Sequence, residues 1–494
     1  MLHRRVLPLL AISLLFSVAC HEVHFEPRGG AGEIDILDDL FSLSVIDGET
    51  VIASGYWGAI YRSTDGGKSW TKATTPTKSL IYDISMADEK VGWAVGQLGL
   101  VLYTDDGGQT WIKQSTPKSE QGVHLFSVQA IDPLRALAVG EWGTIIGTKD
   151  GGKTWRDDSL TVSVTHPQFV WLTVHDQERI RNGEAVFEDV GLNDVSCLAS
   201  DTEKCWIIGE FAYLFRSEDG GDTWERGEIL SGVKVAPIPL AYNAIEITDA
   251  DRVTIAEFAQ GIADKQHLNI AIEPRVSARE IKAFGKQDDP FPLFEIIEAR
   301  TQEVQSAVED AGVLSDRIRR RGAPPWDFED FLEKDPDFLT RYFESRLSES
   351  PQIEVTIAQN PYLFSVRFAD ENEGYISGLG GVVLRSHDGG RTWRYEDIGR
   401  KSAIFAVHPF SGEKAVIVGE KGLIRLSSDG GKTWQESSDP IFRTVFTFMR
   451  GVSFVGDTGY IVGQRSLVLR SDDAGRTWRA VTPEKSLIVA AAGH

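Results

Sequence analysis

The chain has 494 residues, 41% hydrophobic and 25% charged, which is a folding composition long enough for two ordinary domains or one large repeat structure. Its 51 Lys and Arg face 73 Asp and Glu for a formal charge of −22, a surface that repels phosphate backbones and argues against nucleic-acid binding. Mean hydropathy is −0.18, no apolar run of membrane-spanning length follows residue 20, and three cysteines are too few for a disulfide scaffold.

Residues 1–20 read as an export signal. His3, Arg4 and Arg5 form a basic start, Val6 to Phe16 an apolar stretch, and Ser17-Val18-Ala19 a small-residue cleavage site. Cys20 follows directly, and the arrangement resembles the lipobox of bacterial lipoproteins, although Ser17 stands where that family usually has Leu. The resemblance implies acylation of Cys20 and stable anchoring by several chains. It implies a place in the cell envelope, with His21 after the cysteine favouring the outer membrane and the protein facing the periplasm. Residues 21–40 read as the linker from that anchor.

An eight-residue phrase then recurs seven times, at 63–70, 104–111, 148–155, 217–224, 386–393, 427–434 and 471–478, in forms such as S-T-D-G-G-K-S-W. Successive offsets are 41, 44, 69, 169, 41 and 44 residues. A period in the low forties filled by alternating apolar residues indicates an all-β propeller, here over 41–482. Each unit reads as inner strand A, strand B ending in Gly, a tight turn, strand C, the octamer, and strand D starting at the Trp. The octamer is the Asp-box, or BNR, repeat. Its acids (Asp65, Asp106, Asp150, Asp219, Asp388, Asp429 and Asp473) should accept backbone N–H groups across the turn. Its tryptophans (Trp70, Trp111, Trp155, Trp224, Trp393, Trp434 and Trp478) should be buried beside it.

The longer offsets imply insertions. Residues 166–190 alternate around Asn182-Gly183 and predict a β-hairpin. Residues 276–350 predict helices: one through Phe294, Ile297, Val304, Val308 and Ala311 with Gly312 as its stop, a second from Asp327, and a third after Asp335-Pro336 through Phe338, Leu339, Tyr342, Phe343 and Leu347. Subtracting that helical insertion leaves room for a blade without a box, with strands at 242–247, 252–258, 268–272 and 352–358. The count is then eight blades, or seven if 242–272 packs outside the ring. Residues 483–494 form a tail.

Cys197 and Cys205 fall on strands A and B of one blade at near-symmetric positions, which makes them a candidate disulfide in an oxidising compartment. Two reduced, buried thiols are the alternative. Arg317, Arg319, Arg320 and Arg321 form the dense basic cluster of an acidic chain. With Phe338, Tyr342 and Phe343 they are the candidate partner-binding residues, the arginines steering an acidic partner or anionic headgroups; the alternatives are a solvated helix end for the arginines and packing of the aromatic residues on the first helix, through Ile297 and Val304, or on the blade rim. Arg62, Arg216, Arg385 and Arg470 recur just before the box and read as blade-edge ion-pairing groups.

The unit F-x-V-x-F, G-Y-x-x-G, strand, R-S-x-D-G-G-x-T-W, seen best at 364–393 and 452–478, resembles the BNR repeats of the photosystem II stability and assembly factor family. The likeness covers about 41–224 and 363–482. It implies a propeller without catalysis that binds other proteins at membranes, needing no cofactor and no metal. The two insertions and the box-free stretch depart from the family pattern. Sialidases also carry Asp-boxes, but their F/Y-R-I-P motif is missing, since Arg179-Ile180 and Arg317-Ile318 lack the proline. Nor is there an H-E-x-x-H, C-x-x-C or G-x-S-x-G motif. The expected function is a non-enzymatic scaffold for envelope membrane proteins; the runner-up is a glycan-binding or glycan-hydrolysing propeller.

Overall fold

The computed structural model describes residues 38–166, 169, 172–230, 237–262, 268–286, 289–320, 338–358 and 361–481. Seven antiparallel sheets follow the A-B-C-D order along the chain, spanning 40–72, 81–114, 125–157, 192–226, 363–396, 404–436 and 449–480. Their A strands (Leu40–Val45, Ile81–Met86, Leu125–Ala130, Leu192–Leu198, Leu363–Phe368, Ile404–Pro409 and Met449–Val455) pack each against the next, and the seventh returns to the first. The ring is a closed Asp-box β-propeller, and its blades are numbered one to seven below. Closure needs no shared strand. The Tyr460 hydroxyl of blade seven donates to Gly48 O of blade one at 3.0 Å, and Arg470 reaches Glu49 at 2.8 Å. Beneath these bonds Tyr460, Val462 and Val468 share a core with Leu40, Ala53 and Trp70.

Each B strand ends in glycine for a steric reason. A Cβ on Gly96, Gly140, Gly419 or Gly463 would stand 2.0–2.1 Å from a carbonyl oxygen that precedes the neighbouring A strand. At that same point every A strand slips register, with a bulge between its first and third residues. A bulge leaves one residue out of the ladder and re-aims its side chain. The second residue of each A strand is therefore free to point into the central channel.

The eight-blade count is corrected to seven. Of the four strands assigned to a box-free blade, 242–247 is irregular and 252–258 lies inside the helix Asp249–Gly261. Thr248 and Asp251 form a reciprocal capping box there, and Ile255, Phe258, Ala259 and Ile262 are buried at helical rather than strand spacing. Only Asn269–Ser277 and Gln352–Ala358 are strands, and they pair with each other rather than with the ring. They centre a mixed sheet that includes Ile238–Pro239 and, in parallel, Ile318–Arg320. A parallel neighbour requires a crossover, which the helices Ala278–Phe284 and Phe291–Asp310 supply. Residues 238–358 thus form an α/β domain inserted between blades four and five. The segment Glu228–Leu230 ties its start to blade five by pairing with Thr392–Glu396 as a fifth strand.

The expected helix through Phe294, Ile297, Val304 and Val308 is Phe291–Asp310, followed by Gly312 at φ 93°. The third helix is Phe338–Glu344; the start proposed at Asp327 lies outside the described residues. The hairpin expected over 166–190 is replaced by the helix Val174–Arg181. Thr173 caps its start by accepting the Asp176 amide, and Asn182-Gly183 ends it, Gly183 at φ 82°. An Asn-Gly pair serves a helix C-terminus as readily as a hairpin turn.

Candidate functional site

Of the residues singled out as partner contacts, Arg317, Phe338, Tyr342 and Phe343 belong to the inserted domain's interior, while Arg319 and Arg320 are exposed. Phe338, Tyr342 and Phe343 are 4%, 1% and 2% exposed and form one core with Leu293, Phe294 and Ile297. Arg317 is buried and donates to the carbonyls of Ile262 and Leu268 at 2.9–3.0 Å. Arg320 is drawn onto the helix Phe291–Asp310 through Glu298, Gln302 and Gln305, and Arg319 donates to Asp316 O. Arg321 lies outside the described residues, as does Cys20. Arg317 and Arg320 thus hold the crossover strand in place, and the aromatic residues are core rather than the binding face expected of them. Packing explains the aromatic residues: the helices Phe291–Asp310 and Phe338–Glu344 bury them against one another and against Val276 of the sheet.

The Asp-boxes are mechanical. In blade one the Ser63 hydroxyl donates to Asp65 Oδ1 and accepts the Gly67 amide, while the Ser69 amide and hydroxyl donate to the two Asp65 oxygens at 2.9 and 2.6 Å. The same hydroxyl clasp recurs at Asp106, Asp150, Asp219, Asp388, Asp429 and Asp473. Amide and hydroxyl bonds from Thr154 bring the Asp150 carboxyl down to about 2, and those from the Thr433 hydroxyl and amide do the same for Asp429. Trp70, Trp111, Trp155, Trp393, Trp434 and Trp478 are buried and Trp224 half-buried beside their turns. The recurrent arginines bind across or along blade edges, Arg62 to Gly107 O of the next blade and Arg385 to Glu373 and Gly412 O. Cys197 and Cys205 stand opposite one another on strands A and B of blade four and are joined by a disulfide.

A functional site arises instead where the bulged A strands converge. Their second residues are Phe41, Tyr82, Phe126, Asn193, Phe364, Phe405 and Arg450, and all seven line one cavity of about 160 Å³ on the ring axis. The rings of Phe41, Tyr82 and Phe126 contact edge to face at centroid distances of 6.1 and 5.5 Å, and Phe364 meets Phe405 at 5.6 Å. Arg450 lies over the Phe41 ring at 4.0 Å. It has no hydrogen-bond or ion-pair partner among the described residues, and its Nε is buried unpaired. Burial holds the Arg450 guanidinium below its ordinary range, the neighbouring Tyr56 and Asp39 opposing that.

Below the rings a polar girdle closes the channel. Asp83 accepts the amides of Ile84 and Val128 and contacts the hydroxyls of Ser42 and Ser127. Asp194 accepts the Val366 amide and Arg367, and its other oxygen lies 2.9 Å from the same Ser127 hydroxyl. These bonds stitch blades one, two, three, four and five together. A single serine proton cannot serve both carboxylates. Burial, opposed by the Ser42 hydroxyl, and the Asp194 carboxylate raise the Asp83 carboxyl above its ordinary value. On the far wall His408 is pushed down to about 3 by burial and then by the Arg367 charge, which keeps it neutral. The ring of second residues went unread in the sequence because L-F, I-Y and I-F at a strand start look like core alternation. The signal, visible only after the seven A strands are stacked, is that the second position is aromatic in five blades and holds Asn193 and Arg450 in the other two.

The sequence model of a family described as "Photosynthesis system II assembly factor YCF48" matches residues 67–188, 344–438 and 403–490, together more than half of the chain. A BNR/Asp-box repeat model matches 61–72. No curated protein matches the chain. Among solved structures, one described as "YCF48 bound to D1 peptide" is 14% identical over 90% of this chain and 96% of that one, at a TM-score of 0.47. YCF48 from Cyanidioschyzon merolae is 14% identical over 89% and 98%, also at 0.47. The GH74 xyloglucanase from Xanthomonas campestris is 16% identical over 90% of this chain and 55% of the enzyme, at 0.30.

Proposed function

The chain belongs to the photosynthesis system II assembly factor YCF48 family, and from that premise we propose that it is a protein-binding assembly factor whose partner seats in the mouth of the ring. The observation that carries this reading is the bulge-aimed ring of Phe41, Tyr82, Phe126, Phe364 and Phe405 around the unpaired Arg450. Aromatic rings and an arginine in a concave, partly desolvated site are the residue types that dominate protein-binding energy. The partner class is an envelope membrane protein, held near by the lipid anchor expected at Cys20, with the propeller facing the periplasm as a non-catalytic scaffold.

The same rings could stack on a sugar, which is what a glycan-acting propeller would offer. Against that stands the commitment of the carboxylates below them: Asp83 and Asp194 are consumed by hydroxyls, amides and Arg367. The test is affinity recovery from detergent-solubilised membranes with Phe126→Ala and Phe405→Ala combined. Side chains that line a cavity rather than fill a core should leave the melting curve near that of the parent. Loss of recovered membrane proteins is the expected result; equal recovery with both rings removed refutes the mouth as the site.

A further inference from the structure

The rim of the same mouth carries a second feature that partner binding in the channel does not use. Leu40 pairs with Gly55, so the start of each A strand and the turn after each B strand lie at one end of the ring. Those turns are the tetrapeptides 55–58, 96–99, 140–143, 209–212, 378–381, 419–422 and 463–466, and each places its fourth residue and also its third, the corner position, in the left-handed region. Glycine suits that position, and blade five has Gly380 there at φ 72°. Blades one to four instead hold Trp57, Leu98, Trp142 and Phe211, at φ 57°, 58°, 59° and 52°. A bulky side chain in this region is a strained choice. None of the four is sheltered in return: they are 72%, 58%, 58% and 44% exposed. Leu379 of blade five continues the arc at 49%.

Blades six and seven put Lys421 and Arg465 at the equivalent corner, φ 54° and 57°, both exposed and without an ion-pair partner among the described residues. Lys421 shares a cavity of about 390 Å³ with Arg443, also exposed and without such a partner, and with Arg400. Glu436 and Asp439 line the same cavity, but Glu436 is taken by Arg400 and Arg425 and Asp439 by the Ile441 and Trp478 amides, which leaves Lys421 and Arg443 to call for an anionic counterpart.

We propose that this rim docks on an anionic bilayer surface. Trp57, Leu98, Trp142, Phe211 and Leu379 would lie at headgroup depth while Lys421, Arg443 and Arg465 meet lipid phosphates. Exposed tryptophans at loop tips beside uncompensated cations are the composition of an interfacial contact. A lipid surface fits better than a single protein groove because the apolar tips are spread over five consecutive blades instead of gathered in one cleft. The path of the chain agrees: Asp38, the first described residue, lies on this same face, leading back toward Cys20. The mouth would then open toward the membrane, where a segment of a membrane protein emerges.

The test uses the chain from His21 onward, since the ring closes within residues 40–480. Its sedimentation is measured with vesicles of phosphatidylcholine alone and of phosphatidylcholine mixed with phosphatidylglycerol. One variant combines Trp57→Gly, Leu98→Gly, Trp142→Gly and Phe211→Gly, substitutions that the left-handed corners accept without strain. A second combines Lys421→Gln, Arg443→Gln and Arg465→Gln. The parent should bind the mixed vesicles, the glycine variant about tenfold more weakly or worse, and the glutamine variant should lose the phosphatidylglycerol preference, roughly fivefold per cation. Trp142→Gly alone, read by loss of tryptophan quenching with brominated lipid, covers the case in which the fourfold variant fails to fold. Parent-like vesicle binding by a folded glycine variant overturns the proposal. If that variant instead loses only membrane-protein recovery, the rim is a protein contact, and the reading of the channel stands without the lipid surface.

Discussion

At the scale of single residues, the seventh Asp-box breaks its own rule in an instructive way. Six boxes place glycine at the first left-handed corner (Gly66, Gly107, Gly151, Gly220, Gly389 and Gly430), and the seventh places Ala474 there at φ 57°. Left-handed backbone penalises an L-residue, and glycine's greater unfolded-state freedom gives back only part of the gain. Ala474→Gly should therefore stabilise the protein by about 0.5–1 kcal/mol, read as a higher midpoint in chemical denaturation. A lower midpoint would mean that the methyl group packs. The raised Asp83 carboxyl gives a second outcome at this scale. An acid whose pKa rises on folding binds a proton that the unfolded chain has released. Its contribution is then complete below the ordinary aspartate value, near 3.9, and is lost as pH climbs toward the raised folded value. Asp83→Asn removes the titrating group, so its stability relative to the parent should improve as pH is raised from 4 toward 8. Asp194→Asn takes an acceptor from the Val366 amide and Arg367 and should cost about 1–3 kcal/mol throughout. A difference between Asp83→Asn and the parent that does not change with pH would contradict a raised Asp83 carboxyl.

At the scale of elements, legibility depended on whether a signal was local. The boxes were readable because each clasp lies within eight residues, and the backbone N–H bonds expected of each Asp are present, with Ser and Thr hydroxyls added to them. Stretch 252–258 was misread because its apolar residues fit two periods, and the deciding feature is the cap formed by Thr248 and Asp251 just before it. Asn182-Gly183 was ambiguous for the same reason, the pair being compatible with both a hairpin and a helix end. The channel residues could not be found locally at all, since a bulge depends on the B-strand glycine across the ladder. The disulfide was readable because the two strands are adjacent in sequence. It closes a short loop, so Cys197→Ser with Cys205→Ser should cost about 2–3 kcal/mol in unfolding experiments under oxidising conditions. Under reducing conditions parent and variant should converge; a gap that persists there would trace the loss to packing of the sulfurs.

At the scale of the whole molecule, the ring and the inserted domain are built on different cores. The domain buries Ile255, Ile270, Val304 and Val355 among themselves, while Tyr395 of blade five packs against both bodies. Replacing 237–360 by a short flexible linker should leave a cooperatively folding propeller, because no A strand takes a neighbour from the domain. Loss of cooperative unfolding in that variant would show that the domain completes blade five. The eighth blade expected from the spacing came from dividing a long interval by the repeat length; the number of boxes was the better guide, since each box belongs to one ring position.

The mouth as the binding site is tested most directly by site-specific photocrosslinking in intact cells. Benzoylphenylalanine would replace Phe126, inside the channel mouth, and in a parallel strain Gln109, in an exposed box turn at the opposite end of blade two. Crosslinks to a membrane protein from position 126 and none from position 109 are expected. The reverse pattern, or equal crosslinking from both positions, would contradict a partner seated in the ring of aromatic residues.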